Sequence, residues 1–471
     1  MENSKNFDVI IIGAGPAGYE CALRCAELGA RVAVVEKEEL GGTCLNRGCI
    51  PTKSLLRYAH LLSDYQEAKK EGIFSTEAEL SLEQEPLYAK KEKVVASLRS
   101  GIAHLFKHKA VHYFNDVAQI QSPQSVRLLN SQEGISCTKA LVIAAGSEVL
   151  LPPIEGIELA LTSDDLLAKP HEFQSLAIIG GGVVGCELAD YYARLGVKVH
   201  IFEALESILA RMDADLSKFV STQLFKRQGI KINCSCQVQR LEQLTQGAES
   251  KIRVHYLDKQ QEAKSFDVDA VLCAVGRKAY TTDLFSESYI QRYGLPSMQR
   301  SSLEVSDKSF ETSQKAVYAL GDVRWGSSQL AHAASAEAQY LAEQLFSEQG
   351  SSIDLSLNPA CIYLSPELAS VGLSLAQAAE KGIDAQESRF DMIANCRTKI
   401  EGHSRSFIKL VYEKESLKIL GAHLACERAS DMIMHLSMAI HKGLSMKDLG
   451  DIIYPHPSYC EAFDLLASQI A

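Results

Sequence analysis

Apolar positions along this chain come first as a short continuous run, then at helical spacing, then as a second short run, with glycines between them. Residues 7–12 predict a buried strand, Gly13-Ala14-Gly15-Pro16-Ala17-Gly18 a turn, residues 19–28 a helix stopped at Gly29, and residues 31–36 a second strand. The same order returns later: a strand over 176–179, the turn Gly180-Gly181-Gly182-Val183-Val184-Gly185, a helix over 186–195 and a strand over 197–202 closed by Glu203. Between the two units the pattern is helical over 53–108, interrupted between Gly72 and Pro86. His104, His108 and His112 recur every four residues there, yet they do not predict a metal site: Lys107 and Lys109 crowd them, and 111–120 turns to strand periodicity, which takes His112 off the face. From Asn358 onward, apolar segments at 360–364, 406–412 and 417–424 precede helices over 429–442 and 458–468, the signature of a separate α+β unit.

Composition narrows the class of partner. At about 150 residues per domain, 471 residues predict about three domains. A formal net charge of −11 repels phosphate backbones and anionic membranes, so nucleic acid is not expected as a partner. No apolar run reaches the length of a membrane span, and the start of the chain lacks the basic and long apolar regions of a signal peptide. Thirteen cysteines without Cys-x-x-Cys knuckles fit a reducing compartment, so a cytoplasmic location is expected, where any disulfide would be a working one.

Each G-x-G-x-x-G follows a strand, opens a helix and is followed by an acid at the end of the next strand, which is the context that gives this motif meaning. In the first, Gly13 permits the tight turn, Gly15 admits a pyrophosphate to the backbone, Gly18 packs helix on strand, and Glu36 can accept from ribose hydroxyls. Gly180, Gly182, Gly185 and Glu203 repeat those parts. Two dinucleotide sites in one chain suggest a flavin and a nicotinamide coenzyme exchanging hydride.

Shortly after the first unit stands Gly41-Gly42-Thr43-Cys44-Leu45-Asn46-Arg47-Gly48-Cys49-Ile50-Pro51-Thr52-Lys53. Two cysteines this close, in a glycine-flanked loop, can close a small strained ring that is easily reduced and reoxidised. Pro51 suits the first position of a helix, which would put Cys49 beside a helix N-terminus, where thiolate is favoured. Lys53, four residues on, would share its face, and Arg47 adds a second cation.

This stretch, continued through Ser54-Leu55-Leu56, resembles the active-site motif of the flavin disulfide reductases, class I of the pyridine nucleotide-disulfide oxidoreductases. The resemblance runs through Ala144-Ala145-Gly146-Ser147, Val275-Gly276-Arg277, Leu320-Gly321-Asp322-Val323, Leu330-Ala331-His332, Ser365-Pro366-Glu367 and Pro455-His456-Pro457 with Glu461. It implies an α/β fold of two Rossmann-like dinucleotide-binding domains with a C-terminal α+β dimerisation domain, and a homodimer. The implied partition is 1–147 for FAD and the disulfide, 148–276 for NAD, 277–350 completing the FAD site and 351–471 at the interface.

The resemblance further implies that Gly13, Gly15, Gly18, Glu36, Gly42, Thr43, Lys53, Gly146, Ala331 and Asp322 serve FAD, with Asp322 on its ribityl chain. Gly180, Gly182, Gly185, Glu203 and Gly276 would serve NAD. Cys44 is implied as the interchange thiol, Cys49 as the thiol against the flavin, and Lys53 with Glu187 as an ion pair near the flavin's reactive nitrogen. His456 and Glu461 are implied as an acid–base pair; prolines on both sides keep His456 out of a helix interior, so Glu461 is expected on the first turns of the next helix, reaching back to orient the imidazole. The motif is most similar to the branch that oxidises protein-bound dihydrolipoyl groups, whose partner is the lipoyl domain of a 2-oxo acid dehydrogenase complex or a glycine-cleavage carrier. The alternatives are a glutathione-type or mercuric reductase, or a redox sensor that kept the fold. Ala145, Ala279-Tyr280 and Tyr459-Cys460 depart from the family's usual residues.

Overall fold

The computed structural model describes residues 5–75, 80–246, 249–402 and 406–470. Its first sheet is built on parallel strands: Lys5–Ile12 lies between Val32–Glu36 and Gly134–Ile143, with His112–Asn115 beyond Val32–Glu36. Both faces of the first strand are covered, which is why Val9, Ile10 and Ile11 are fully buried and read as a continuous apolar run rather than an alternation. A strand from far along the chain, Val317–Ala319, joins this sheet parallel to Gly134–Ile143. The helix Ala331–Phe346 that follows it packs on Pro16–Glu27. Residues long after the second fingerprint are thereby delivered to the first.

The second sheet is wholly parallel, in the order Lys231–Asn233, Lys198–Phe202, Ser175–Ile179, Ala270–Cys273, and an antiparallel meander of Gln237–Gln246, Glu249–Leu257 and Ala263–Val268 stands beside it. The two nucleotide units are linked by a short antiparallel pair, Ser147–Val149 with Arg277–Ala279. The C-terminal part is a five-stranded antiparallel sheet covered by Ala429–His441, Met446–Gly450 and Glu461–Ser468.

Several boundaries differ from the sequence reading for local reasons. Both fingerprint helices begin inside the glycine turn, at Pro16 and Val183, because the glycine before each, Gly15 and Gly182, is the N-cap in extended conformation. The last helix starts at Glu461 rather than Ser458; residues 458–460 form a turn after His456-Pro457. Strand periodicity over 111–120 resolves into His112–Asn115 and Ala118–Ser122. His104 and His108 stack with ring centroids 6.5 Å apart, His112 lies on a strand, and among the described residues no group of three or more His, Cys, Asp or Glu gathers for a metal ion. Among those residues no helix is long and apolar enough to cross a membrane.

Candidate active site

Sterics at Gly13 and Gly18 leave room only for glycine. A Cβ on Gly13, at φ +99°, would come within 2.3 Å of the Ala144 oxygen, and one on Gly18 within 1.9 Å of the Gly13 oxygen. Gly42, at φ +59°, brings a second backbone so close that its Cβ would stand 2.5 Å from the Gly15 Cα. No side chain caps Pro16–Glu27, so its first N–H groups and dipole face this glycine-lined cradle. That is the shape and polarity a dinucleotide pyrophosphate requires, and the residues present fit FAD. At the second turn Gly180 and Gly185 repeat the geometry, the Cβ positions falling 2.5 Å from the Ala274 oxygen and 2.1 Å from the Gly180 oxygen. Gly182 is the uncapped N-cap of Val183–Arg194.

The acids after each second strand are latched alike. Glu36 accepts from the Ala14 N–H at 2.7 Å and the Glu38 N–H at 2.9 Å; Glu203 accepts from Gly181 at 2.6 Å and Leu205 at 2.8 Å. One oxygen holds the glycine turn and the other the loop after the strand, so each carboxylate is fixed in place with a lone pair left on each oxygen for a ribose hydroxyl.

Asp322 arrives on the turn Gly321–Val323 beside the first fingerprint, where a Cβ on Gly321 would stand 3.2 Å from that of Ala17. It accepts from Ser147 Oγ at 2.6 Å, and burial pushes its carboxyl upward. Arg277, whose role the sequence reading left open, organises this corner: it donates to Ser147 Oγ at 2.8 Å, to the Ser147 carbonyl at 2.8 Å and to Thr43 Oγ1 at 3.4 Å. Gly146 and Gly276, both at positive φ, flank the paired segments, and Tyr280 donates its N–H to the Gly146 carbonyl. Ala279 is buried in that pairing and Tyr280 lies under Lys37 Nζ, 3.5 Å from its ring centre, so the two departures from the family pattern are packed into the link between the units. Ala331 is the first residue of the helix that packs on the fingerprint helix.

The two cysteines occupy consecutive helices rather than a loop. Cys44 lies in Gly42–Arg47, Gly48 breaks the chain direction, and Cys49 is the first residue of Cys49–Lys70, two places before Pro51. Both are free thiols in this structure. Donation from Cys44 lowers the Cys49 thiol to about 7; partial desolvation opposes this, the Lys53 charge adds to it and Glu187 works against it. The Cys44 thiol is raised, first by the same hydrogen bond and then by burial.

Lys53 reaches across to Val183–Arg194, where Nζ meets both Glu187 oxygens at 2.8 and 2.6 Å. Tyr363, which sequence reasoning passed over, completes the contact: its N–H donates to Glu187 Oε1 at 3.0 Å and its ring centre lies 4.7 Å from Lys53 Nζ. Its signal in the sequence was only its place two residues before Ser365-Pro366-Glu367.

Elsewhere on the chain, His456 Nδ1 and Glu461 Oε1 are 2.7 Å apart, with the other Glu461 oxygen accepting from the Ser458 N–H at 2.7 Å. That N–H, and then His456, hold the Glu461 carboxyl below its ordinary value. The imidazole is presented outward, its side chain 67% exposed. Among the described residues no hydrogen bond or ion pair joins 456–461 to the cysteine helices.

A dithiol beside a Lys–Glu ion pair, two nucleotide cradles and a carboxylate-oriented imidazole define a flavin-linked thiol–disulfide oxidoreductase. The chain belongs to the pyridine nucleotide-disulphide oxidoreductase family, whose model matches residues 7–338, with the family's dimerisation domain matching 358–467. That family works with FAD and NAD or NADP. The chain is 34% identical over 466 residues to a dihydrolipoyl dehydrogenase of Bacillus subtilis (strain 168), covering 98% of this chain and 96% of that one. It is 34% identical to the mitochondrial dihydrolipoyl dehydrogenase of Dictyostelium discoideum, covering 98% and 93%. Among solved structures it superposes on the HOCl-induced flavoprotein disulfide reductase RclA of Escherichia coli in its Cu(II) complex, with TM-score 0.85 and 28% identity over 99% of this chain and all of that one.

Proposed function

We propose that this protein is an NAD-dependent dihydrolipoyl dehydrogenase acting on lipoyl domains of a 2-oxo acid dehydrogenase complex or a glycine-cleavage carrier. The observation that carries the reading is the His456–Glu461 pair, 2.7 Å apart and exposed, in a chain that also holds the Cys44–Cys49 pair. With the cysteines oxidised, His456 Nε2 takes a proton from one substrate thiol. The resulting thiolate attacks Cys44 Sγ, the Cys44–Cys49 bond breaks, and Cys49 leaves as thiolate. The second substrate thiol then attacks the sulfur bonded to Cys44, closing the lipoyl disulfide while its proton goes to Cys44. The products on the enzyme are a Cys44 thiol, a Cys49 thiolate and protonated His456. What bound flavin supplies is two-electron transfer between Cys49 and the nicotinamide ring. Lys53, fixed by Glu187, keeps positive charge beside Cys49.

A reductase running electrons toward another disulfide or oxidant is the second reading, favoured by the superposition on RclA. The test is turnover by the purified holoenzyme of dihydrolipoamide with NAD, set against NADH- or NADPH-driven reduction of glutathione disulfide. Dihydrolipoamide oxidation is expected to dominate; its absence beside active disulfide reduction would decide for the second reading.

Coenzyme choice follows from Glu203. A carboxylate pinned by two backbone N–H groups cannot swing away from a 2′-phosphate, so NAD is expected to exceed NADP in kcat/KM by about a hundredfold, equivalent to about 2.7 kcal/mol. Glu203→Ala is expected to narrow that ratio chiefly by raising KM for NAD. A wild-type preference for NADP would overturn this role.

A further inference from the structure

Lys53 must sit over Cys49 for its charge to favour the thiolate, and the Glu187 contact alone does not fix how the two helices lie along each other. A second contact does. His60 stands seven residues after Lys53 on Cys49–Lys70, two turns along the same face, and Asp190 stands three after Glu187 on Val183–Arg194. His60 Nε2 and Asp190 Oδ2 are 2.7 Å apart, so the helices meet at two rungs, 53 with 187 and 60 with 190.

Asp190 is completely buried, and three donors reach it: His60, Arg194 Nε at 2.9 Å and Gln228 Nε2 on its other oxygen at 2.5 Å. Burial alone would raise this carboxyl, but Arg194 and His60 more than offset that and hold it below the usual range. Arg194 also donates to the Ser365 carbonyl at 3.4 Å, two residues from Tyr363, whose N–H and ring engage Glu187 and Lys53. The ring of contacts closes through the cysteine helix, the second fingerprint helix and the segment entering the C-terminal domain. A buried carboxylate with several donors is costly to disturb by removing one partner, which makes such a contact a stiff reference point.

From this geometry we infer that His60 and Asp190 are positioning residues for the redox centre, setting the register of the two helices so that Lys53 is seated beside Cys49. This deepens the proposed function and rests on Cys49 being the thiol that acts as thiolate. The groups facing Cys49 are Cys44 from the preceding helix, Lys53 from its own, Glu187 from the second fingerprint helix and Tyr363 from the C-terminal segment.

The test is the pH profile of the Cys49 thiolate in the two-electron-reduced holoenzyme, read as its long-wavelength charge-transfer absorbance with the bound flavin, with melting temperature measured alongside. His60→Ala is expected to move the Cys49 midpoint up by about half a unit to one unit, which is about three- to tenfold less thiolate well below it. His60→Gln, whose amide N–H falls where the imidazole Nε2 stood, should recover most of the shift, and Lys53→Met should move the midpoint at least as far as His60→Ala. Should His60→Ala fail to fold, Asp190→Asn replaces it with the same expected direction. A lowered melting temperature with an unmoved midpoint would show a merely structural contact, and an unmoved midpoint in Lys53→Met would remove the premise; either overturns the inference. Because this absorbance, after chemical reduction, needs neither dihydrolipoyl substrate nor coenzyme, failure of the lipoyl assay is read separately.

Discussion

Cys44→Ser is expected to cut dihydrolipoamide oxidation by about a thousandfold or more while the purified protein remains yellow. The sulfur removed is the one the substrate thiolate must attack, and serine oxygen cannot form the mixed disulfide. The flavin cradle, by contrast, depends on Gly13, Gly15, Gly18 and Gly42 and on the N-terminus of Pro16–Glu27, none of which the substitution alters. Steady-state turnover and flavin content per chain check the two halves of this statement, and wild-type turnover in the variant would dismiss the disulfide. The hydrogen bond between the cysteines adds a pH signature. Cys44 is the first cause of the low Cys49 pKa, near 7, so in the reduced wild type Cys49 is mainly thiolate above about pH 7 and loses that form tenfold per unit below. Cys44→Ala deletes the donor and should raise the Cys49 midpoint. Cys44→Ser retains a hydroxyl donor and should raise it less, so the order Ala above Ser above wild type in the same charge-transfer titration distinguishes a hydrogen-bonded pair from two independent thiols.

Local signals were legible in the sequence where the physics is local. Each fingerprint is a strand, a turn and a helix within about thirty residues, and the steric demand at Gly13, Gly18, Gly180 and Gly185 is met by the chain's immediate neighbours or by one adjacent strand. The long-range parts were not. Nothing in the periodicity of 317–319 says that this strand pairs with Gly134–Ile143, because three residues, two of them buried, fit any sheet with a vacant edge. Ala385–Asp391 escaped notice because most of its residues are exposed on an outer strand of the C-terminal sheet, and Leu368–Gly372 because five mostly small residues carry little pattern.

The chemistry divides in the same way. The placing of Glu461 was legible because prolines at 455 and 457 leave His456 only an extended course into a helix start, and the 2.7 Å contact is that geometry. Arg277, Tyr363, His60 and Asp190 were not legible as members of the site, since each acts through a partner on an element remote in sequence: Arg277 through Ser147 and Thr43, Tyr363 through Lys53 and Glu187, His60 through Asp190. Motif spacing reports residues that meet a ligand common to many proteins; residues that hold those in place are selected by tertiary packing and leave no fixed spacing to read.

His456 and Cys44 are expected to work together across two subunits, the imidazole of one chain serving the cysteines of the other. His456 is 67% exposed and, among the described residues, its side chain hydrogen-bonds only with Glu461, so a single chain presents the other ring nitrogen outward. The same C-terminal domain exposes Ile452 and Ile453, the latter 96%, together with Met434 and Met438, apolar side chains that a partner surface would take out of water. An isologous dimer through the family's dimerisation domain would cover them and bring each His456 to the other chain. The check uses two variants, Cys44→Ser and His456→Gln, each reduced alone by at least about a hundredfold. Co-expression with separate affinity tags yields mixed dimers. If each site takes its cysteines from one chain and its histidine from the other, one site of a mixed dimer carries both lesions and its twin carries neither. About a quarter of all sites then recover when the two chains pair at random, and about half of the sites in tag-purified mixed dimers. If histidine and cysteines act within one chain, every site keeps one lesion and activity stays at the level of the single variants. Mixed dimers proven by both tags yet inactive would exclude the shared site.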